Sequence, residues 1–231
     1  KDCFLEPNCF VSITSDEDGK KLLAYKGAGD IASTRLEIPA GRFYVHYPSA
    51  QPIFWDKEKA HPDLSTDDGD KTCKKNTGST FRTILGKNSL VQSGIASFQV
   101  KIDHLKNDRR NYLYCCVGIA EWPEEVNEKE KLLGGMLGNT KHSWGVYSHG
   151  KTRYHAGLSS PYLKSSFRSG DIVNVSVDFD NDTLSFTIND IDQGIAYSGN
   201  FKGKKLYPAL TLYYDSDCAT ISPAVDGVHA L

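Results

Sequence analysis

No run of apolar residues in this chain approaches the roughly 18–20 that a membrane-spanning helix requires. Neither sign of charge is in excess: 27 basic residues stand against 29 acidic ones, for a formal net charge of −2. The first absence excludes a helical membrane anchor within the sequence. The second removes the electrostatic footprint of a nucleic-acid or anionic-membrane binder, so neither partner is expected. The short basic clusters Lys71–Lys75 and Lys202–Lys205 sit beside Gly, Asn or acidic residues and read as solvated loops. Cysteines fall at 3, 9, 73, 115, 116 and 218, with no CxxC pair and no recurring Cys/His cluster. That spells no zinc site and fits a reducing compartment better than a disulfide scaffold, with Cys3 and Cys9 as the one close pair. GxSxG elbows, glycine-rich phosphate loops, internal repeats and low-complexity tracts are missing too.

What is there is strand after strand. In GDIVNVSVDFDNDTLSFTINDIDQGIAYSG, from Gly170 to Gly199, Val173, Val175, Val177 and Phe179 alternate with polar residues. After a polar turn at Asp180–Thr183, Leu184, Phe186 and Ile188 do the same. Period-two alternation on both sides of an Asn/Asp turn predicts an antiparallel hairpin with one buried face. Similar runs occur at Lys21–Tyr25, Arg35–Ile38, Arg42–Tyr47, Lys71–Lys75, Ala96–Ile102, Leu113–Ala120, Trp144–Tyr147, Thr152–His155 and Tyr207–Tyr213. Short strands at this density predict an all-β sandwich of antiparallel sheets rather than a βαβ arrangement. Pro123–Leu133 is the one helix-like piece; short and highly charged, it reads as a surface loop with a helical turn. In YLYCCVGIA, Cys115 and Cys116 are expected to point to opposite faces as small buried residues. The chain begins at Lys1 rather than Met and is read as part of a longer protein.

From about Phe54 to Ile221 the order of blocks resembles the SPRY family, including the PRY-like strands that often precede it. The blocks are WDKEKAHPDLSTDDGDKT, LVQSGIASFQVKI, YCCVGIAEW, LLGGMLGNTKHSWGVYSHGKTRYHAG, the hairpin above and LYPALTLYYDSDCATI. The resemblance implies a bent two-sheet antiparallel β-sandwich of the concanavalin-like jelly-roll type over residues 50–231. Residues 1–49 would then be a β extension packed on or beside it, or a small separate module. It implies no catalysis, no cofactor and no metal. A shallow groove built from edge loops would grip a peptide or loop of a partner protein, in a monomeric domain of a larger cytoplasmic or nuclear chain. Ubiquitin-ligase substrate recruitment is the leading setting by analogy. Carried onto this sequence, the groove would comprise Trp55, Lys57, Ser79, Thr80, Lys129, Lys131, Tyr214, Asp215 and Ser216. The sequence departs from the family's best-known groove, having Lys129–Lys131 and Tyr214–Asp215 where that groove uses an aromatic and a Trp-Gly. The Asn-rich peptide of that subgroup does not carry over.

Two other readings compete. Asp178, Asp180 and Asp182 stand at alternate positions, and carboxylates about 5–5.5 Å apart could serve a retaining glycosidase. A carbohydrate-binding or glycan-hydrolysing sandwich is therefore the alternative. Against it, the set runs into a tight turn, which favours Asn and Asp for its own reasons. The same residues open like a calcium loop, but Thr183 and Asn189 occupy the positions that need Gly and Glu. His142, His149 and His155 lack ligand spacing, and Trp144 reads as core. A purely structural domain is the third reading.

Overall fold

The computed structural model describes residues 52–108 and 114–224 in full, and residues 11–15, 23–25 and 43–46 as strands. Arg35–Ile38, Cys3 and Cys9 lie outside the described residues. The chain divides into two compact units, one holding the first three strands and the other running from Pro52 to Ala224. In the first unit β1 (Val11–Ser15) pairs antiparallel with β2 (Leu23–Tyr25) and with β3 (Phe43–His46).

The second unit is a sandwich. In chain order it contains β4 (Trp55–Ala60), β5 (Leu64–Asp67), β6 (Thr72–Lys75), β7 (Ser79–Gly86), β8 (Ile95–His104) and β9 (Cys116–Glu121). A helix, α1 (Val126–Leu133), precedes β10 (Ser143–Tyr147), β11 (Thr152–His155) and β12 (Leu158–Pro161). Then come β13 (Ile172–Asp178), β14 (Thr183–Ile188), β15 (Ile191–Ser198), β16 (Leu206–Tyr214) and β17 (Cys218–Pro223). The first sheet has the order β12-β11-β10-β9-β16-β7-β4 and the second β15-β14-β13-β8-β17-β6-β5, every pairing being antiparallel.

The expected hairpin is β13–β14, in the register Val173↔Ile188, Val175↔Phe186, Val177↔Leu184. Its valines and Phe186 turn inward, with Phe98, Val100 and Ile102 of β8, against Ile84, Val117, Ile119, Trp144 and Leu210 of the first sheet. Burial of such side chains is worth about 1.5–3 kcal/mol each, so this layer supplies the main driving force of the fold. Trp144 is 2% exposed and belongs to this core, where it stacks on His155 at 4.7 Å. Cys115 belongs to the core between the sheets and Cys116 to a second core on the outer face of the first sheet, as their adjacency on extended chain requires.

That second core corrects the reading of 123–133 as a surface loop. Leu132, Met136 and Leu137 cover Leu85, Cys116, Ala120 and Ala209, so the central strands β7, β9 and β16 of the first sheet are buried on both faces. The helix is mostly polar because only its last turn touches the sheet; Leu132 is 1% exposed. Pro208 lies within β16, between two partner strands, where it has no N–H to offer. It is accommodated opposite the end of β7, where a Cβ on Gly86 would lie 2.9 Å from the proline ring.

Candidate functional site

At one end of the first sheet, four strands deliver aromatic rings to one place. Phe81 comes from the start of β7, Tyr213 and Tyr214 from the end of β16, Tyr114 from just before β9, and Tyr147 and His149 from the end of β10 and its turn. Antiparallel order puts those starts and ends on the same edge. Tyr213 lies 4.6 Å from Phe81, 4.8 Å from Tyr114 and 4.7 Å from Tyr214, in edge-to-face arrangements. Tyr114 lies 4.8 Å from His149 and 6.3 Å from Tyr147. All six rings are half-buried: each offers part of its surface while its neighbours hold it. Edge-to-face pairs of this kind contribute roughly 0.5–1.5 kcal/mol beyond area burial, so the patch is preformed. Burial pushes the Tyr147 phenol well above its ordinary value, leaving it a neutral hydrogen-bonding group.

The rim is equally ordered. Ser79 pairs with Tyr214 across a register shift, the Asp215 N–H donates to Gly78 O at 2.9 Å, and the Ser216 N–H donates to Lys75 O at 2.9 Å. Ser216 turns the chain with φ +73°. Lys106 Nζ contacts both Asp215 carboxylate oxygens, at 2.6 and 2.7 Å, which holds that carboxyl below its ordinary value. The Lys75 ammonium is fully buried and donates to Thr77 O, with Asp63 at 3.8 Å. Burial lowers its pKa while Asp63 opposes that.

Of the nine residues expected to wall a groove, Ser79, Thr80, Tyr214, Asp215 and Ser216 come together here. The other four do not join them. Trp55 is 0% exposed and pairs with Gly86 at the far end of β7, so it is a core residue rather than a surface anchor. Lys57 reaches Asp70 at 2.9 Å. Lys129 lies over the Trp122 ring at 5.1 Å, beyond the opposite end of β9, and Lys131 bonds Glu128 at 2.7 Å within α1. Sequence reasoning missed Phe81, Tyr114, Tyr147 and Tyr213 as a group. Their one shared signal is an aromatic at a strand end.

The three aspartates of the alternative reading hold turns. Asp178 accepts from the N–H groups of Asp180 and Asn181 at 3.0 and 2.9 Å, and from Asn181 Nδ2 at 2.7 Å. Asp182 accepts from the N–H groups of Asn200, Phe201 and Lys202 at 3.1, 2.7 and 3.1 Å. Asp180 accepts from Gly94 N–H at 3.3 Å. These bonds draw the Asp178 and Asp182 carboxyls below their ordinary value, the opposite of what a general acid needs. His142 lies 3.0 Å from Glu121, and His155 bonds the Ser143 carbonyl at 2.8 Å. Among the described residues no group of three His, Cys, Asp or Glu side chains could hold a metal ion, and no helix is long and apolar enough to cross a membrane.

Two packed antiparallel sheets of seven strands each, with a cluster of aromatic rings at one end, define the class as an antiparallel β-sandwich. The family model described as SPRY domain matches residues 96–224, more than half of the chain, and the chain belongs to that family. SPRY domain-containing SOCS box protein 1 of Homo sapiens is 36% identical over 85 residues, covering 33% of this chain and 30% of the relative. The probable ATP-dependent RNA helicase ddx1 of Dictyostelium discoideum is 36% identical over 76 residues, covering 33% of this chain and 10% of the relative. The chain thus matches less than a third of the length of either protein. Among solved structures, the SPRY domain of human HERC1 superposes with a TM-score of 0.59 at 21% identity, covering 75% of this chain and 99% of that one. The TRIM65 PSpry domain gives 0.54 at 14% identity, covering 76% and 94%. At such identities these two show the shared fold.

Proposed function

We propose that this chain is a non-enzymatic recognition module that grips a peptide or loop of a partner protein on the aromatic end of its first sheet. The observation that carries this reading is the six-ring patch closed by the Tyr213–Tyr214 corner. Tyrosines anchor interfaces because they present large, rigid, amphipathic surfaces at small entropic cost. Ser79, Thr80, Asp215 and Ser216 supply the polar rim that fixes a peptide's direction. Such a module recruits a substrate or partner to a larger chain, and a ubiquitin-ligase adaptor is the setting that the SOCS box relative supports.

The test is a displayed random-peptide selection on the whole chain, followed by Tyr214→Ala and Asp215→Ala. Loss of about tenfold or more in affinity, with the chain still folded and unfolding cooperatively, is expected for a hot-spot tyrosine. Equal affinity in both variants would remove this surface from consideration.

A further inference from the structure

Beneath the recognition corner sits a carboxylate that neither the aromatic patch nor its rim accounts for. Asp217 is 1% exposed. Its Oδ2 accepts from the N–H groups of Tyr213 at 3.3 Å and Tyr214 at 2.8 Å, and its Oδ1 from Lys106 N–H at 2.8 Å. Its own N–H donates to Tyr214 O at 3.1 Å, and its carbonyl accepts from Lys75 N–H at 2.9 Å. One residue therefore ties together the end of β16, the segment after β8 and the end of β6. Through Lys106 it also governs the rim, because that side chain binds Asp215.

The chemistry of this post is divided against itself. Burial disfavours the ionised carboxyl and raises its pKa, whereas the N–H donors of Lys106, Tyr214 and Tyr213 favour ionisation. Those three bonds are thus stronger to the anion than to the acid. An ionised acceptor makes bonds roughly twice as strong as a neutral one, and a protonated carboxyl turns one oxygen into a donor. The charged and titratable groups facing it are Lys75 from β6, His104 at the end of β8, Lys106 after it, Cys115 before β9, Cys218 of β17 and Asp215 in the same turn.

We infer that Asp217 is the positioning residue of the recognition surface and a proton-operated latch. As a carboxylate it holds Tyr213, Tyr214 and Lys106 in the binding arrangement; taking up a proton from solvent slackens all three and weakens partner binding. The inference rests on reading the Tyr214 surface as the partner site. Asp217 itself need touch no partner.

The experiment uses the whole chain, labelled with ¹⁵N, and follows the amides of Tyr213, Tyr214 and Lys106 as pH falls from about 7 to about 4. The three resonances should shift together with one midpoint above 3.8, the ordinary aspartate value. In Asp217→Asn that midpoint should vanish. Resonances that stay fixed, or that titrate identically in the Asn variant, would overturn the latch. In parallel, the peptide selected on the chain should lose about tenfold in affinity along the same curve, the scale of one charge-assisted bond weakened. If binding depends on Tyr214 but ignores that midpoint, the regulatory claim fails. If binding is indifferent to Tyr214→Ala while the amides titrate together, the surface reading fails and the post at Asp217 stands.

Discussion

The hydroxyls of Thr83 and Thr211 lie 2.7 Å apart on neighbouring strands, fully buried between the first sheet and the segment that follows α1. Thr83 Oγ1 donates to Gly135 O at 2.9 Å, and Thr211 Oγ1 accepts from Leu137 N–H at 3.0 Å. The pair thus satisfies both a backbone acceptor and a backbone donor in the segment that caps the outer core. Replacing Thr211 with Val keeps the shape but strands the Leu137 N–H. A loss of about 1–3 kcal/mol is expected from urea unfolding, with faster hydrogen exchange at Leu137. An unchanged midpoint would mean that the segment is held by its apolar contacts alone.

Trp55 and Tyr214 separate core from surface. Truncating the fully buried Trp55 to Ala should cost about 3–5 kcal/mol, whereas Tyr214→Ala, at a half-buried position, should cost far less. Thermal unfolding of the two variants in parallel is the check. Comparable losses would return Trp55 to the list of surface candidates.

Gly118 of β9 faces Gly145 of β10, and a Cβ at Gly118 would lie 2.0 Å from the Trp144 carbonyl oxygen. That atom is strand backbone and cannot swing aside. Gly118→Ala should therefore destabilise by at least the 1–3 kcal/mol typical of overpacking, by separating the strands that carry Tyr114 and Tyr147. Normal expression and an unshifted unfolding curve would contradict the close approach.

Asp182 offers a pH test of opposite sign to Asp217. Its folded pKa is lowered, first by the Phe201 N–H, so its contribution is present above the unfolded value of 3.8 and lost as pH falls through the folded value. The melting-temperature gap between wild type and Asp182→Ala should be open at neutral pH and close below that value. Asp217, with its raised folded pKa, contributes in the other sense: relative stability is present below 3.8 and lost as pH rises through its folded value. A gap for Asp182→Ala that persists in strong acid would mean that its bonds to Phe201 and Lys202 are not what the carboxylate supplies.

Much of the fold was legible because a strand with one wet face writes its burial into every second residue. The β13–β14 hairpin, the opposed Cys115 and Cys116 and the core role of Trp144 all follow from that period. The helix is where the reading fell short. Leu132, Met136 and Leu137 are too few to make an apolar stripe, and nothing local reveals that the outer face of the first sheet needs a cover.

The site lies further still from local pattern. Phe81, Tyr114, Tyr147 and Tyr213 are each just an aromatic beside a turn, equally suited to a core or a surface. Sequence by itself determined that strands would form, which faces they would bury, and that Asp178–Asp182 would make a turn. Only the tertiary structure decided that β10, β9, β16 and β7 lie side by side, so that their matching ends gather rings distant in sequence over the buried Asp217. The physical reason is that alternation encodes which way a side chain points, whereas the lateral order of strands is settled by long-range packing.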